Sequence, residues 1–133
     1  MLKKIVSTQN DAAVLILRLG LGIMFFPHGM QKLLGWFGGY GFSGTMGFFM
    51  NDLHIPALFA FLAIAAEALG SLGLITGFLT RIAAFAVTVN MLVAVYLLHW
   101  QHGFFMNWAG NLKGEGYEFH ILAVAIGIAL MIK

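Results

Sequence analysis

The fold is decided by residues 56–100, which read PALFAFLAIAAEALGSLGLITGFLTRIAAFAVTVNMLVAVYLLHW. Residues 56–77 and 82–100 are each close to the length of about 20 apolar residues that crosses the hydrocarbon core of a bilayer as a helix. Proline in the first turn and glycine at the end mark the boundaries of the first of these spans. Because only residues 78–81 separate the two spans, we predict an antiparallel helical hairpin in a membrane.

The composition of the whole chain agrees with a membrane protein. Of the 133 residues, 61% are hydrophobic and 9% are charged, whereas soluble domains carry about 25% charged residues. Seven basic and five acidic side chains are too few to cover the exterior of a water-soluble fold. The basic residues form no patch or stripe, which excludes a nucleic-acid interface. The partner that the composition predicts is the lipid bilayer.

Two further apolar spans flank the hairpin, at residues 12–34 and 117–132. The first is too long for a signal peptide, contains Arg18 and lacks a small-x-small cleavage site, so we interpret it as a retained span. The second is short and is still apolar at Lys133, so its helix either ends close to the interface or belongs to a longer chain. We predict one all-α domain over residues 1–133, an antiparallel bundle of four transmembrane helices.

Charges in the short loops predict the orientation of this bundle. Cytoplasmic loops of membrane proteins carry an excess of Lys and Arg. If both termini lie in the cytoplasm, four basic residues are on the cytoplasmic side, namely Lys3, Lys4, Arg81 and Lys133. Two basic residues, Lys32 and Lys113, are then on the outer side. The balance predicts an N-in, C-in topology.

The segment between the first two spans predicts a short interfacial helix. Residues 35–55 hold six glycines before position 48, so no helix extends throughout. The second half differs, since its apolar residues recur at spacings of 4, 3 and 4 after Ser43, a candidate N-cap. We predict an amphipathic helix at the membrane surface, anchored by Trp36 and Tyr40, with a re-entrant hairpin as the alternative. The apolar face consists of Phe42, Met46, Phe49 and Leu53.

Three polar residues fall at similar depth within the predicted spans. Glu67 lies near the middle of its span, and Arg18 and Asn90 lie within one or two helical turns of that depth. An unpaired charge is costly inside a bilayer. We therefore predict a buried centre in which Arg18 and Glu67 form an ion pair and Asn90 completes the hydrogen bonds. Its candidate role is catalytic, and the alternative is that it fixes helix register.

A second group of ionisable residues gathers at the predicted outer ends of the spans. His99 and His102 are three residues apart, which on a regular helix places both imidazoles on one face. Histidine titrates near neutral pH and can exchange protons between water and a membrane carrier such as a quinone. The candidate quinone or proton site comprises Lys32, His28, His99, His102, Glu118 and His120. The alternatives are that these side chains anchor helix ends or that HxxH binds a metal, although it is no complete metal motif.

The residue pattern resembles the DoxX family of small four-helix bacterial membrane proteins. The match runs over nearly the whole chain and is carried by Leu17-Arg18-Leu19-x-Leu21-Gly22, Gly29-x-x-Lys32-Leu33, Glu67-Ala-x-Gly70, Gly77-x-x-x-Arg81-x-Ala83-Ala84 and Asn90-Met91-x-x-Ala94. The Gly-x-Gly and Ser-x-Asp stretch that usually follows the fourth helix in this family is missing after Lys133. The resemblance implies a multi-pass protein of the bacterial plasma membrane, related to a subunit of a thiosulfate:quinone oxidoreductase and to complexes with soluble partners.

Two functional hypotheses follow. In the first, the protein is an oxidoreductase subunit that binds a quinone, with Lys32, His99 or His102 polarising the quinone carbonyls and Glu67 handling protons. The chain has no cysteine, so its redox chemistry needs a borrowed cofactor and a redox partner, and haem between opposed histidines stays open. In the second, it is a non-catalytic scaffold or assembly factor. A small transporter, which would need to form a homo-oligomer, is the weaker third hypothesis.

Overall fold

The computed structural model describes residues 2–3, 11–107, 110 and 114–133, and all regular structure within them is helical. Lys4 and Lys113, which entered the charge count for orientation, lie outside the described residues. The α-helices discussed below are α1 (Ala12–Leu33), α2 (Gly41–Gly47), α3 (Ala57–Thr76), α4 (Thr80–Ala94) and α5 (Glu118–Ile132).

Three of these helices are long and apolar enough to cross a membrane. They are α1, α3 and the continuous helical segment Thr80–His102, in which a π-helical turn, Val95–His99, and a 3-10 turn, Trp100–His102, extend α4. The fourth, α5, is apolar but has 15 residues, fewer than a perpendicular crossing needs. The helical membrane bundle is confirmed, and the fourth crossing stays a prediction.

The turn between α3 and α4 produces the antiparallel hairpin. Gly77 ends α3 with φ of 79° and Leu79 precedes α4 with φ of 52°, so two left-handed residues reverse the chain within four positions. Small residues let the two helices pack closely: a Cβ on Gly70 would lie 2.9 Å from Val87 Cγ2. Glycine is favoured at position 77 because a left-handed φ strains most L-residues.

The core of the bundle lies where α1, α3, α4 and α5 meet. Helix α1 packs along α3, and α5 packs along α4. Phe25, Leu74, Val87 and Leu130 are each at most 1% exposed and belong to the same apolar cluster. On the outside, large apolar side chains such as Leu69, which is 65% exposed, stand free, as expected where lipid replaces water as the solvent.

The interfacial segment differs in detail from its prediction. Helix α2 begins at Gly41 and its N-cap is Tyr40, which makes no side-chain capping bond, so the prediction of Ser43 as N-cap is wrong. A π-helical turn, Phe48–Asp52, continues α2. Phe49 packs against Ala60 and Ile64 of α3, so part of the predicted apolar face is buried against the bundle.

Candidate functional site

A close contact between α1 and α3 sets the position of the polar residues. The Cβ of any larger residue at Gly29 would lie 2.7 Å from the Cα of Ala68, and one at Gly22 would lie 2.8 Å from Ile75 Cγ1. Only glycine permits this approach at Gly29, because the atom it would strike belongs to the backbone. The contact brings the last turn of α1 beside the middle of α3, at Glu67.

Glu67 is held by two partners on two other helices. Lys32 Nζ of α1 lies 2.6 Å from Glu67 Oε2, and Asn90 Nδ2 of α4 donates to Glu67 Oε1 at 2.8 Å. The Glu67 side chain is 7% exposed and that of Lys32 is 26% exposed. Side chains on a helix lean toward its N-terminus, which lets the Lys32 stem reach back toward the middle of the bundle. We call Lys32, Glu67 and Asn90 the polar triad.

The predicted ion pair between Arg18 and Glu67 is therefore wrong. Arg18 lies against Gly77, which follows the last residue of α3. Gly77 is ten residues after Glu67, a distance of about 15 Å along the helix axis. Its Nε is buried without a hydrogen-bond partner among the described residues. The prediction counted depth from the ends of each span. The register of the antiparallel helices α1 and α3 is set instead by the positions at which their small residues meet. The contact between Gly29 and Ala68 places Lys32 beside Glu67.

The polar triad lines a cavity of about 420 Å³. Apolar side chains form most of its wall, with Phe25 and Phe119 closing one side as a ring pair whose centroids are 5.9 Å apart. The titratable residues that line it are His28, Lys32, Glu67, His99, Glu115 and His120. Four of the six predicted quinone-site residues, Lys32, His28, His99 and His120, thus share one cavity with Glu67 and Asn90.

His99 and His120 form the histidine pair of this cavity. Their ring centroids are 4.1 Å apart. His99 Nδ1 lies 2.9 Å from the carbonyl oxygen of Glu115, and because a carbonyl oxygen only accepts, Nδ1 of His99 carries the proton and Nε2 of the neutral ring is an acceptor. His120 is 6% exposed, and its Nδ1 has no hydrogen-bond partner in the described part of the chain.

The π-helical turn explains how His99 reaches the cavity. At about 100° per residue, nine residues after Asn90 would turn a regular helix by about 900° and place residue 99 on the opposite face. The segment Val95–His99 is π-helical, and its wider turns rotate less per residue, which returns His99 toward the Asn90 side. His102 follows in a 3-10 turn and does not line the cavity.

Glu118, the other predicted site residue outside the cavity, supports the loop above it. Its Oε1 accepts from the backbone N–H of Met106 at 3.2 Å, and Glu115 Oε2 accepts from the N–H of Asn107 at 2.7 Å. These bonds hold Met106 and Glu115 at the cavity wall. Sequence reasoning did not point to Met106, because it lies on no helix whose periodicity could indicate it.

The described residues, within 2–3, 11–107, 110 and 114–133, contain no group of three or more His, Asp or Glu side chains arranged to hold a metal ion. The chemistry that the cavity offers is instead that of a cation, a carboxylate, an amide and imidazoles set in apolar walls. Such a combination binds molecules that are largely apolar and carry a few hydrogen-bonding oxygens.

Comparisons with known proteins agree with the membrane fold. The family model DoxX matches residues 13–100, the segment that contains the whole polar triad and His99. A Bacillus subtilis (strain 168) protein named "Putative oxidoreductase CatD" is 27% identical over 120 residues, which cover 90% of this chain and 79% of that relative. No solved structure matches the chain.

Proposed function

This chain belongs to the DoxX family, and on that premise we propose that it is the membrane subunit of a quinone-linked redox system in the bacterial plasma membrane. The observation that carries the proposal is the 420 Å³ cavity, in which Lys32, Glu67 and Asn90 face apolar walls beside three histidines. The relative named for an oxidoreductase supports the same class of function.

The cavity fits the head group of a quinone in size and in chemistry. Ligand pockets typically measure about 300–1,000 Å³ and combine apolar walls with a few polar groups. The Lys32 ammonium has three donors, one of which is directed at Glu67, so a carbonyl oxygen can accept from another. When bound, a quinone accepts two electrons and two protons and becomes a quinol.

Each residue of the cavity has a distinct role in this proposal. Lys32 donates to a carbonyl oxygen and stabilises the negative charge that develops there. The Glu67 carboxylate, close to that oxygen, takes up protons and passes them on, and Asn90 orients the carboxylate through its 2.8 Å bond. His99, whose Nε2 is an acceptor, relays protons between the loop side of the cavity and the carboxylate. The electrons come from a soluble or membrane redox partner with its own cofactor, since this chain has no cysteine.

The test is quinone binding by the purified protein in nanodiscs, measured by solvent extraction and mass spectrometry and by titration with benzoquinones and naphthoquinones. Wild type is expected to retain quinone. Lys32→Gln is expected to weaken binding about tenfold or more, because a hydrogen bond from a charged group is lost. Lys3→Gln, a change of the same chemistry at an exposed residue, is the matched control. A wild type that binds no quinone, or a Lys32→Gln variant that binds it equally well, contradicts the proposal.

A scaffold or assembly factor is the second candidate function. The observation that favours it is that the polar triad joins α1, α3 and α4, so its energy can serve packing alone. In that case Glu67→Gln lowers stability while wild type retains only phospholipid. Asp52→Asn, the same change of carboxylate to amide at an exposed position, is the control for stability.

We also propose that the end of the bundle at Arg18 and Arg81 faces the cytoplasm. Arg81 donates to the Lys133 carbonyl, so three basic residues gather near this end. The single basic residue at the opposite end of the described helices, Lys32, is paired with Glu67. This distribution supports the N-in, C-in topology through the excess of positive charge in cytoplasmic loops.

A further inference from the structure

A large apolar groove runs along the lipid-facing side of the α3–α4 hairpin. It has a volume of about 1000 Å³, and Asn90 and Thr76 are the two polar residues in its lining. It extends from Phe59, near the start of α3, to Phe78 in the turn. Between Ala63 and Thr76 alone, thirteen residues of helix give a length of about 20 Å. The groove is therefore elongated along the helix axis, which suits a hydrocarbon chain.

The groove and the cavity share part of their walls. Five residues line both spaces, namely Ile55, Ala63, Asn90, Val93 and Leu97. The two spaces therefore adjoin at these residues, of which Ala63 has only a methyl side chain. Val93 is 46% exposed and Leu97 is 36% exposed, so both side chains have room to turn outward into lipid.

Asn90 lies in this shared wall with its amide bonded to Glu67 Oε1. A molecule that passes the wall at Ala63 and Val93 therefore meets the polar triad directly. A ligand with a polar head and a long apolar tail would satisfy both spaces at once, because its head would contact the triad and its tail would cover apolar surface in the groove.

We infer that the ligand is a membrane-resident quinone taken directly from the bilayer, with its head in the cavity and its isoprenoid tail in the α3–α4 groove. This inference rests on the proposed function and adds the class of quinone and its route of entry. The head passes between α3 and α4 at Ala63 and Val93, and the tail remains in the groove along α3. A quinone that reaches the cavity from water needs no such tail.

The experiment uses thiol protection, for which a chain without cysteine is well suited. Val93→Cys places a thiol in the shared wall, and Leu92→Cys places one on the adjacent lipid-facing residue, which lines neither space and is 54% exposed. Met24→Cys reports on a rival exit, since Met24 also borders the cavity and is 47% exposed. Each variant in nanodiscs is alkylated with a membrane-permeant maleimide under three conditions. The first has no quinone, the second has a fully ring-substituted benzoquinone with a long isoprenoid tail, and the third has the tail-less quinone, in which a methyl group replaces the tail.

The tailed quinone is expected to slow alkylation of Val93→Cys about tenfold when its concentration is about ten times its Kd. The tail-less quinone can also shield Val93→Cys, because Val93 borders the cavity that holds the head. The tail is therefore detected at Val89→Cys, since Val89 lines the groove but not the cavity and is 42% exposed. Alkylation of Val89→Cys is expected to be slowed by the tailed quinone alone, and Leu92→Cys is expected to react equally fast in all three conditions. Protection of Met24→Cys in place of Val93→Cys, or equal reactivity of Val89→Cys with and without the tailed quinone, overturns the inference.

Two outcomes separate the failure of this inference from that of the proposed function. If the tailed quinone is bound, as extraction shows, but Val93→Cys is unprotected, the lateral route is wrong and quinone binding stands. If neither quinone binds wild type, the proposed function fails and the inference fails with it.

Discussion

The partner of Glu67 can be identified by a pair of double-mutant cycles. In the first, Lys32→Met and Glu67→Gln are made singly and together. In the second, Arg18→Met replaces Lys32→Met. The structure pairs Glu67 with Lys32 at 2.6 Å, whereas Arg18 lies against Gly77. Coupling energy is therefore expected in the first cycle and not in the second.

The magnitude follows from distance and exposure. At 2.6 Å and an effective dielectric constant of about 20, the gross Coulomb attraction is about 6 kcal/mol, and desolvation of both ions offsets part of it. Removal of one member of a buried pair typically costs about 3–5 kcal/mol. Since the Lys32 side chain is 26% exposed, its ammonium can regain some hydration, so Glu67→Gln is expected to cost about 2–3 kcal/mol.

Lys32→Met is expected to cost more, about 3–4 kcal/mol, because the remaining carboxylate is 7% exposed and keeps only the Asn90 amide. The double variant Lys32→Met/Glu67→Gln leaves no unpaired charge at this site, and the new amide can still accept from Asn90. Its expected cost is about 2–3 kcal/mol, which gives a coupling energy of about 3 kcal/mol.

The assay is reversible unfolding in mixed micelles at fixed pH, followed by circular dichroism, with each free energy taken relative to wild type. A coupling energy below about 0.5 kcal/mol between positions 32 and 67 would refute the reasoning, because contacting charges in a site of low exposure must couple. A coupling of several kcal/mol between positions 18 and 67 would restore the pairing predicted from sequence and refute the helix register.

Two further predictions concern packing and topology. Gly29→Val is expected to cost about 1–3 kcal/mol of stability and to weaken the Lys32–Glu67 coupling, because a Cβ there would meet the backbone of Ala68 at 2.7 Å. Gly20→Ala, where a Cβ meets nothing within 4 Å, should be neutral or stabilising by about 1 kcal/mol, and equal losses in both variants would contradict the contact. For topology, an impermeant maleimide on intact cells should label Gln101→Cys and spare Phe78→Cys, and the reverse pattern would invert the proposed orientation.

Much of the site was accessible from sequence because charge in an apolar span is rare. Glu67 and Asn90 stood out within apolar runs, and the structure joins them by a 2.8 Å hydrogen bond. Lys32 and His99 were candidates for a separate quinone or proton site. The structure brings all four to one cavity, because the Lys32 stem reaches back along α1 and the π-helical turn rotates His99.

Other features depended on geometry that no local pattern encodes. His102 and Glu118 looked equivalent to His99 and His120 in sequence, yet they lie outside the cavity wall. A π-helical turn followed by a 3-10 turn changes the phase of a helix, and hydrophobic periodicity assumes a constant phase. The interfacial helix shows the same limit, since it begins at Gly41 rather than after Ser43.

The amino-acid sequence by itself determined that this protein is a helical membrane bundle with an antiparallel central hairpin. Hydrophobicity summed over about 20 residues and a four-residue connection suffice for that, because both are local properties of the chain. Tertiary structure alone decided which cation pairs with Glu67 and which histidines share its cavity. The choice between Arg18 and Lys32 depends on a shift of α1 along α3, and the contact of Gly29 with the Ala68 backbone sets that shift.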